Sequence, residues 1–414
     1  MSLTVFVNAG PWLPVPPSGY GGVENLLVYL INELRGRGHR VILGTVGQSR
    51  IEVEGQISRF RQGQHPRIDG PYCDGVSVAH AHMQRVLKTI RATPGIDVVH
   101  DFLEIVGPST LAELEHGPPV LHTLQWNLWQ QRDFYRHFEG RDRVWFNGIS
   151  EPQMRAARGN LLRCSLDVVH NGVDVDDFTY RERKDDYAIT LARFTYDKGQ
   201  DVAARVCAKL GMPLQMAGTV GGLASPEQLA DELAKRFSPF HHYKDVQYYR
   251  RAVQPHEDPD RGIAWVGSVG GDAKRALVAG ARALLMPIRW EEPFGMAVIE
   301  ALASGTPVVA MRRGAMPLIV EHGTTGFLAD DEQEFAGYLR RVGEIDPKAC
   351  RRSVRERFSA SAMAERYVRR YEEVIERAGA ARQPATQTLR GARANGGSGH
   401  RRPVGATPTG APVP

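Results

Sequence analysis

The chain has 414 residues, 42% hydrophobic and 24% charged, which suits a soluble globular protein long enough for two domains with full cores. No apolar run reaches the ~18 residues of a transmembrane helix. The net charge of +5 is matched by five arginines between Ala378 and Pro414 (Arg382, Arg390, Arg393, Arg401, Arg402), where there is no acid, so the preceding body sums to zero and nothing points to a nucleic-acid-binding fold.

Met1 to Asn8 lacks a basic start and a long apolar segment, so a first strand over Leu3–Val7 is expected there and not a signal peptide. The cysteines (Cys73, Cys164, Cys207, Cys350) are scattered with no CxxC pair, which suits a cytoplasmic chain and argues against a disulfide scaffold or a metal knuckle. A Pro/Gly loop from Pro11 to Gly22 leads into helical apolar spacing over Val23–Leu34, stopped at Gly36. Strands follow at Gly38–Gly44, Ile96–Asp101, Pro119–Thr123 and Arg143–Ser150, and Ser150 is placed to cap a helix from Glu151. After a charged run ending at Asp186 the pattern restarts, with strands at Ala188–Ala192, Leu214–Gly218, Ile263–Gly267, Ala283–Ile288, Thr306–Ala310 and Gly326–Leu328. Strands alternating with helices predict α/β domains with parallel, doubly wound sheets.

An amphipathic helix is expected from Ser361 to Arg377, with Tyr367, Tyr371 and Val374 three or four residues apart. The Gly/Pro/Ala/Arg-rich tail reads as disordered. It is a solvated extension or a peripheral contact with anionic lipid or acidic partners at the inner face of the membrane. The expected division is 1–175, 183–357, a helix over 358–377 and the tail over 378–414.

The chemistry is concentrated in Trp290-Glu291-Glu292-Pro293-Phe294-Gly295-Met296-Ala297-Val298-Ile299-Glu300. It follows an apolar strand, and Ser304-Gly305 closes a helix behind it. Glu292 is expected in a loop just past the strand and Glu300 about two turns into the helix. Ligands of open α/β sheets bind outside the carboxyl ends of the strands. Two carboxylates there accept hydrogen bonds from hydroxyls, and free N–H groups at a helix start hold phosphate. A sugar nucleotide carries both.

The string resembles the donor-site signature of retaining glycosyltransferases with the GT-B architecture, specifically glycosyltransferase family 4, and the resemblance covers most of Met1–Arg377. It implies two Rossmann-like domains facing an interdomain cleft, with the C-terminal helix packing back on the first. In the first domain the loop Pro17-Ser18-Gly19-Tyr20-Gly21-Gly22-Val23-Glu24 is similar to the Gly-rich turn that faces the donor diphosphate, which assigns Gly21 and Gly22. Leu121-His122-Thr123 matches the place of an active-site histidine near the donor sugar, and His100-Asp101 is a weaker candidate lining the acceptor side. In the second domain, Arg193 and Lys198 match the pair of cations that stabilises the departing diphosphate. The resemblance implies that Glu300 holds the ribose hydroxyls. It also implies that Glu292 holds the donor sugar, with backbone N–H groups around Phe294, Gly295 and Met296 nearby.

A nucleoside-diphosphate sugar is the expected partner, with no cofactor and no metal, and a hexose-type sugar passes to an unidentified acceptor. Val169–Asp174 resembles the interdomain signature, with His170 where proline is commoner. Asp174-Val175-Asp176 and Asp258-Pro259-Asp260 spell metal motifs of other folds and read as structure. Leu318 stands where relatives often carry Glu. Acceptor-shaping loops are expected around Trp126–Trp129 and Phe134–Phe138, and the charged stretch Ser225–Arg261 has no assigned role. A non-catalytic sugar-nucleotide scaffold, a GT-B epimerase and a phosphorylase-type enzyme remain as alternatives.

Overall fold

The computed structural model describes residues 2–17, 19, 21–68, 72–235 and 243–382. The described strands form two parallel six-stranded sheets. The first comprises β1 (Thr4–Asn8), β2 (Arg40–Thr45), β3 (Gly55–Ser58), β4 (Val98–Asp101), β5 (Val120–Thr123) and β6 (Val144–Asn147), in the order β3-β2-β1-β4-β5-β6. The second comprises β7 (Ala188–Leu191), β8 (Leu214–Ala217), β9 (Ile263–Gly267), β10 (Ala283–Met286), β11 (Val308–Met311) and β12 (Gly326–Ala329), in the order β12-β11-β10-β7-β8-β9. Strands such as β4, β5 and β10 are buried at every position, because helices cover both faces of a parallel sheet.

In each sheet the winding direction reverses once, between β1 and β4 and between β7 and β10. Loops leaving the two central strands there diverge and open a crevice at the carboxyl edge. The sequence therefore places the Gly21-Gly22 turn after β1, Arg193 and Lys198 after β7, and Glu292 after β10, all at switch points.

Some expected boundaries shift. β10 ends at Met286 and β11 begins at Val308, because Pro287 and Pro307 have no N–H to give to a ladder. The edge strand β3 and the helix Tyr72–Ala92 were not anticipated; Gly-Gln-Ile-Ser carries one apolar residue and is placed by pairing with β2. The C-terminal helix runs from Ala360 to Arg382, longer than expected at its end. Tyr367, Tyr371 and Val374 are fully buried in one core with Val5, Leu26 and Leu30 of the first half. Residues 383–414, the bulk of the basic tail, lie outside the described residues. Among the described residues no helix is long and apolar enough to cross a membrane.

The junction segment is pinned to the start of that last helix, with Val173 N–H donating to Phe358 and Ala360 N–H donating back to Val173. The two halves also meet directly. Ser150 Oγ donates to the Pro293 carbonyl at 2.6 Å, and the His170 ring lies 6.2 Å from that of Phe294.

Candidate active site

At the end of β7 the chain turns through 192–199. Arg193 is exposed, with no ion pair among the described residues, while Phe194 beneath it is buried against Tyr249 and Trp265. The stretch 225–261 thereby finds a role, since its Tyr249 props the Arg193 turn; its residues 236–242 lie outside the described set. Gly199 has φ +73°, and a Cβ there would sit 2.0 Å from the Pro287 carbonyl oxygen, so only glycine lets this turn close on the end of β10. Arg289 fastens the two loops with a bidentate pair to Asp201 at 2.7 and 2.8 Å and stacks on the Tyr196 ring.

That closure brings Lys198 to Glu292. Lys198 Nζ donates to Glu292 Oε2 at 2.5 Å, Trp290 Nε1 donates to the same oxygen at 3.1 Å, and the ammonium lies 4.6 Å from the Trp290 ring centroid. Glu292 is also fixed from behind: its carbonyl accepts from Ala315 N–H, and Gly314 packs too close for any side chain. Phe294 is buried and Gly295, with φ 107°, precedes the helix Met296–Ala303. Glu300 is the fifth residue of that helix, so it stands about one turn in and not two, because residues 290–295 are loop. Its carboxylate receives Lys274 Nζ at 2.7 Å from the neighbouring helix Gly271–Gly280.

Leu318, in place of an expected acid, packs against the hydrophobic core behind this loop, and Arg357 donates to its carbonyl.

The first sheet supplies a second group of side chains. Gly21 precedes the helix Gly22–Gly36, and Glu24 in its first turn is buried. Ser18 and Tyr20 of that turn lie outside the described residues. His122 and Asp101 sit opposite each other in the β4–β5 register, both fully buried, with His122 Nδ1 2.6 Å from Asp101 Oδ2. Asp101 also accepts from Asn8 Nδ2 at 2.6 Å, which leaves it the acceptor and His122 Nδ1 the donor. His122 Nε2 has no hydrogen-bond partner among the described residues.

His100 does not line the acceptor side. Alternation along β4 turns it to the opposite face from Asp101, where Tyr371 (2.7 Å) and Thr123 (2.8 Å) engage both its nitrogens under the C-terminal helix. Burial pushes its pKa well below the usual value.

Trp126 Nε1 donates to the buried Tyr135 hydroxyl, and Phe134 and Phe138 pack in the core, while Trp129 is 61% exposed. Asp174 caps a turn, Asp176 pairs with Arg351 and Arg355, and Asp258 caps 259–261. Among the described residues no group of three or more His, Cys, Asp and Glu is arranged to hold a metal.

The pattern described as "Glycosyl transferases group 1" matches residues 187–344, and that described as "Glycosyltransferase Family 4" matches residues 20–177. The chain belongs to the group 1 glycosyltransferases of family 4. A D-inositol 3-phosphate glycosyltransferase of Mycolicibacterium smegmatis is 30% identical over 234 residues, covering 52% of this chain and 48% of the relative. One from a Mycobacterium species (strain KMS) is 28% identical over 238 residues, with the same shares. The chain thus spans about half the length of the curated relatives it matches.

Solved glycosyltransferases share its fold throughout. AviGT4 of avilamycin A biosynthesis aligns with TM-score 0.61 and 22% identity over 90% of this chain and 98% of that one. Sucrose-phosphate synthase from Thermosynechococcus elongatus gives 0.66 and 18% over 90% and 99%. HepE of Anabaena, solved with UDP and glucose, gives 0.62 and 14% over 90% and 100%. The fold of this chain is GT-B.

The structure brings together Arg193, Lys198, Glu292 and Glu300 at one edge, and Gly21, Gly22 and His122 at the edge of the other sheet. Sequence reasoning missed Lys274, which no spacing links to Glu300, and Asp101 as the residue that orients His122. It also missed Tyr29, whose hydroxyl burial drives upward with Asp177 and Glu300 beside it, so that the first half reaches the Glu300 neighbourhood.

Proposed function

We propose that this family 4 glycosyltransferase moves a hexose-type sugar from a nucleoside-diphosphate sugar to an acceptor hydroxyl, with retention and without a metal ion. The observation carrying this reading is the pair Glu292 and Glu300. Each is about nine-tenths buried and held by a lysine, and Arg193, which has no ion pair among the described residues, leaves the neighbouring strand at the same edge. Carboxylates oriented in this way accept from vicinal hydroxyls, the ribose at Glu300 and the donor sugar at Glu292. The diphosphate draws Lys198 from Glu292 and meets Arg193 as a planar fork, with the N–H groups of Phe294, Gly295 and Met296 and the Gly21-Gly22 turn nearby. As the acceptor oxygen bonds to the anomeric carbon, the carbon–phosphate oxygen bond breaks, and the acceptor proton passes to the departing phosphate on the same face. Arg193 and Lys198 stabilise the charge that builds there. His122, with its proton held on Nδ1 by Asp101, offers Nε2 to a sugar hydroxyl. The presence of UDP and glucose in the HepE structure, on the same fold, supports a donor of this class.

The test is a panel of sugar nucleotides in excess EDTA, read as thermal stabilisation and released nucleoside diphosphate. One donor should stabilise the chain by about 3 kcal/mol at a hundredfold excess over its Kd, and Glu300→Ala and Arg193→Ala should abolish the shift. No response from a folded chain to any sugar nucleotide would discard the reading in favour of a non-catalytic scaffold.

A further inference from the structure

Asn8, Asp101 and His122 stand side by side on three adjacent strands. The parallel register sets Asn8 opposite Asp101, and Asp101 opposite His122, so the three side chains share one face of the sheet. His82, on the helix Tyr72–Ala92, extends the row, with Nε2 2.8 Å from Asn8 Oδ1. All four residues are fully buried. Asn8 and His82 have no part in the donor chemistry described above.

The order of donors along the row follows from the carboxylate, which only accepts. Asn8 Nδ2 donates to Asp101 Oδ1 at 2.6 Å, with Met83 Sδ 3.3 Å away on its other side. Turned over, the amide would set its oxygen against the carboxylate, so Oδ1 faces His82. An amide oxygen also only accepts, so His82 Nε2 carries a proton. Burial pushes the His82 pKa down to about 4, which keeps the ring neutral and its Nδ1 bare. That nitrogen has no partner among the described residues. His82 therefore donates to Asn8 and Asn8 to Asp101, while His122 Nδ1 donates to Asp101 Oδ2 from the other side at 2.6 Å. The carboxylate has little room to turn. Leu103 N–H approaches Oδ1 at 3.4 Å, and a Cβ on Gly107 would lie 2.2 Å from Oδ2.

A core built for stability alone would fill these places with apolar side chains and leave no bare nitrogen. Resting on the proposed transfer reaction, we infer that Asn8 and His82 are positioning residues for His122. Asn8 holds the Asp101 carboxylate in place and anionic. His82 fixes which way the Asn8 amide points. Through Asp101 the two keep the His122 proton on Nδ1 and leave Nε2 bare for a sugar hydroxyl. Without the amide donor the Asp101 carboxylate is less stabilised, and the Asp101–His122 pair takes up a second proton more readily. If that proton makes an imidazolium, Nε2 carries it. If it sits on Asp101 and is donated to Nδ1, the ring proton moves to Nε2. In both cases Nε2 stops being an acceptor.

The experiment titrates the full chain, labelled with nitrogen-15 histidine and without donor, and follows His122 Nε2 by NMR. Its resonance is identified by its loss in His122→Phe. Asn8→Leu should raise the pH at which this nitrogen takes up a proton by about one pH unit. His100, Glu104 and Tyr135, the other titratable groups around the pair, are the same in every variant. Turnover with the donor that the panel identifies should fall about tenfold in Asn8→Leu. Binding of the matching nucleoside diphosphate, which lacks the sugar, should stay within about twofold. His82→Leu should show the same two changes at smaller size, and His82→Gln, whose amide nitrogen takes the place of Nε2, should restore both. The His82 pair carries the test should Asn8→Leu fail to fold. An unmoved titration in folded Asn8→Leu, or a His82→Gln chain as impaired as His82→Leu, overturns the inference. A titration that shifts in a chain binding no sugar nucleotide keeps the hold on His122 and loses the transfer reading; an unmoved titration in a chain that turns over its donor loses only the role of Asn8 and His82.

Discussion

The two sheet edges carry carboxylates in opposite states. At the second edge Glu292 and Glu300 are each paired with a lysine, at 2.5 and 2.7 Å. At the first edge Glu24 is buried and Glu104 half-buried, and among the described residues neither has an ion pair. An anionic donor needs net positive charge where it binds, and the second edge provides it in Lys198, Lys274 and Arg193. Glu292 and Glu300 are each fixed in place by a lysine before any ligand arrives, whereas Glu24 has no such partner among the described residues.

The largest expected effect comes from breaking the paired side. On the proposed reaction, Glu292→Gln and Lys198→Met each remove an interaction with the donor as it reacts, and each should lower donor-dependent turnover by about 100-fold or more. The two side chains bond each other in the free chain and, on the proposed reaction, share the donor afterwards, so their effects should fall short of multiplying in the double variant. Released nucleoside diphosphate measured across the four-member cycle decides this. A Glu292→Gln rate within threefold of the parent would remove the donor side from the comparison.

The paired side was legible in the sequence because its residues sit within short loops after apolar strands. Glu292 follows β10, and Arg193 and Lys198 follow β7, so strand ends and spacing suffice to bring them to one edge. The unpaired side was not legible. Glu24 stands in the first turn of the helix after β1 and Glu104 in the loop after β4, segments that both leave the point where the sheet order reverses. The Asp101–His122 pair depends in the same way on β4 lying beside β5 in one register. Lys274 reaches Glu300 from a separate helix, a contact set by packing and not by any local pattern. Glu300 itself was misplaced by a turn, since nothing local says that the helix waits until Met296 to begin.

A smaller effect should follow from neutralising the unpaired side. Burial raises the Glu24 and Glu104 carboxyls from 4.5 to about 7. Between those values the folded chain holds protons that the unfolded chain has lost. Stability should therefore fall as pH rises from about 4.5 to about 7, and stay reduced above it. For Glu24 the penalty is at most about 3 kcal/mol. Glu24→Gln should relieve much of it, raising the urea midpoint at pH 8 and leaving that at pH 5 nearly unchanged. Equal effects at both pH values would mean that the folded chain holds this carboxylate ionised and partnered, which would erase the contrast between the two edges.

The smallest effect separates two buried histidines on opposite faces of the first sheet. His100 has both nitrogens bonded, one to Tyr371 of the C-terminal helix, whereas among the described residues His122 has one bonded and one without a partner. Tyr371→Phe strips a partner from His100 Nδ1 in a fully buried place, at a cost of about 1–3 kcal/mol in urea unfolding. It should leave stabilisation by the donor intact, because His100 faces away from the site. His122→Phe deletes a nitrogen that bonds nothing in the free chain, so its cost in stability comes only through Asp101, while its cost in turnover should exceed that of Tyr371→Phe. If Tyr371→Phe slowed transfer as much as His122→Phe, satisfaction of hydrogen bonds in the free chain would not distinguish a residue that holds the fold from one that waits for a ligand.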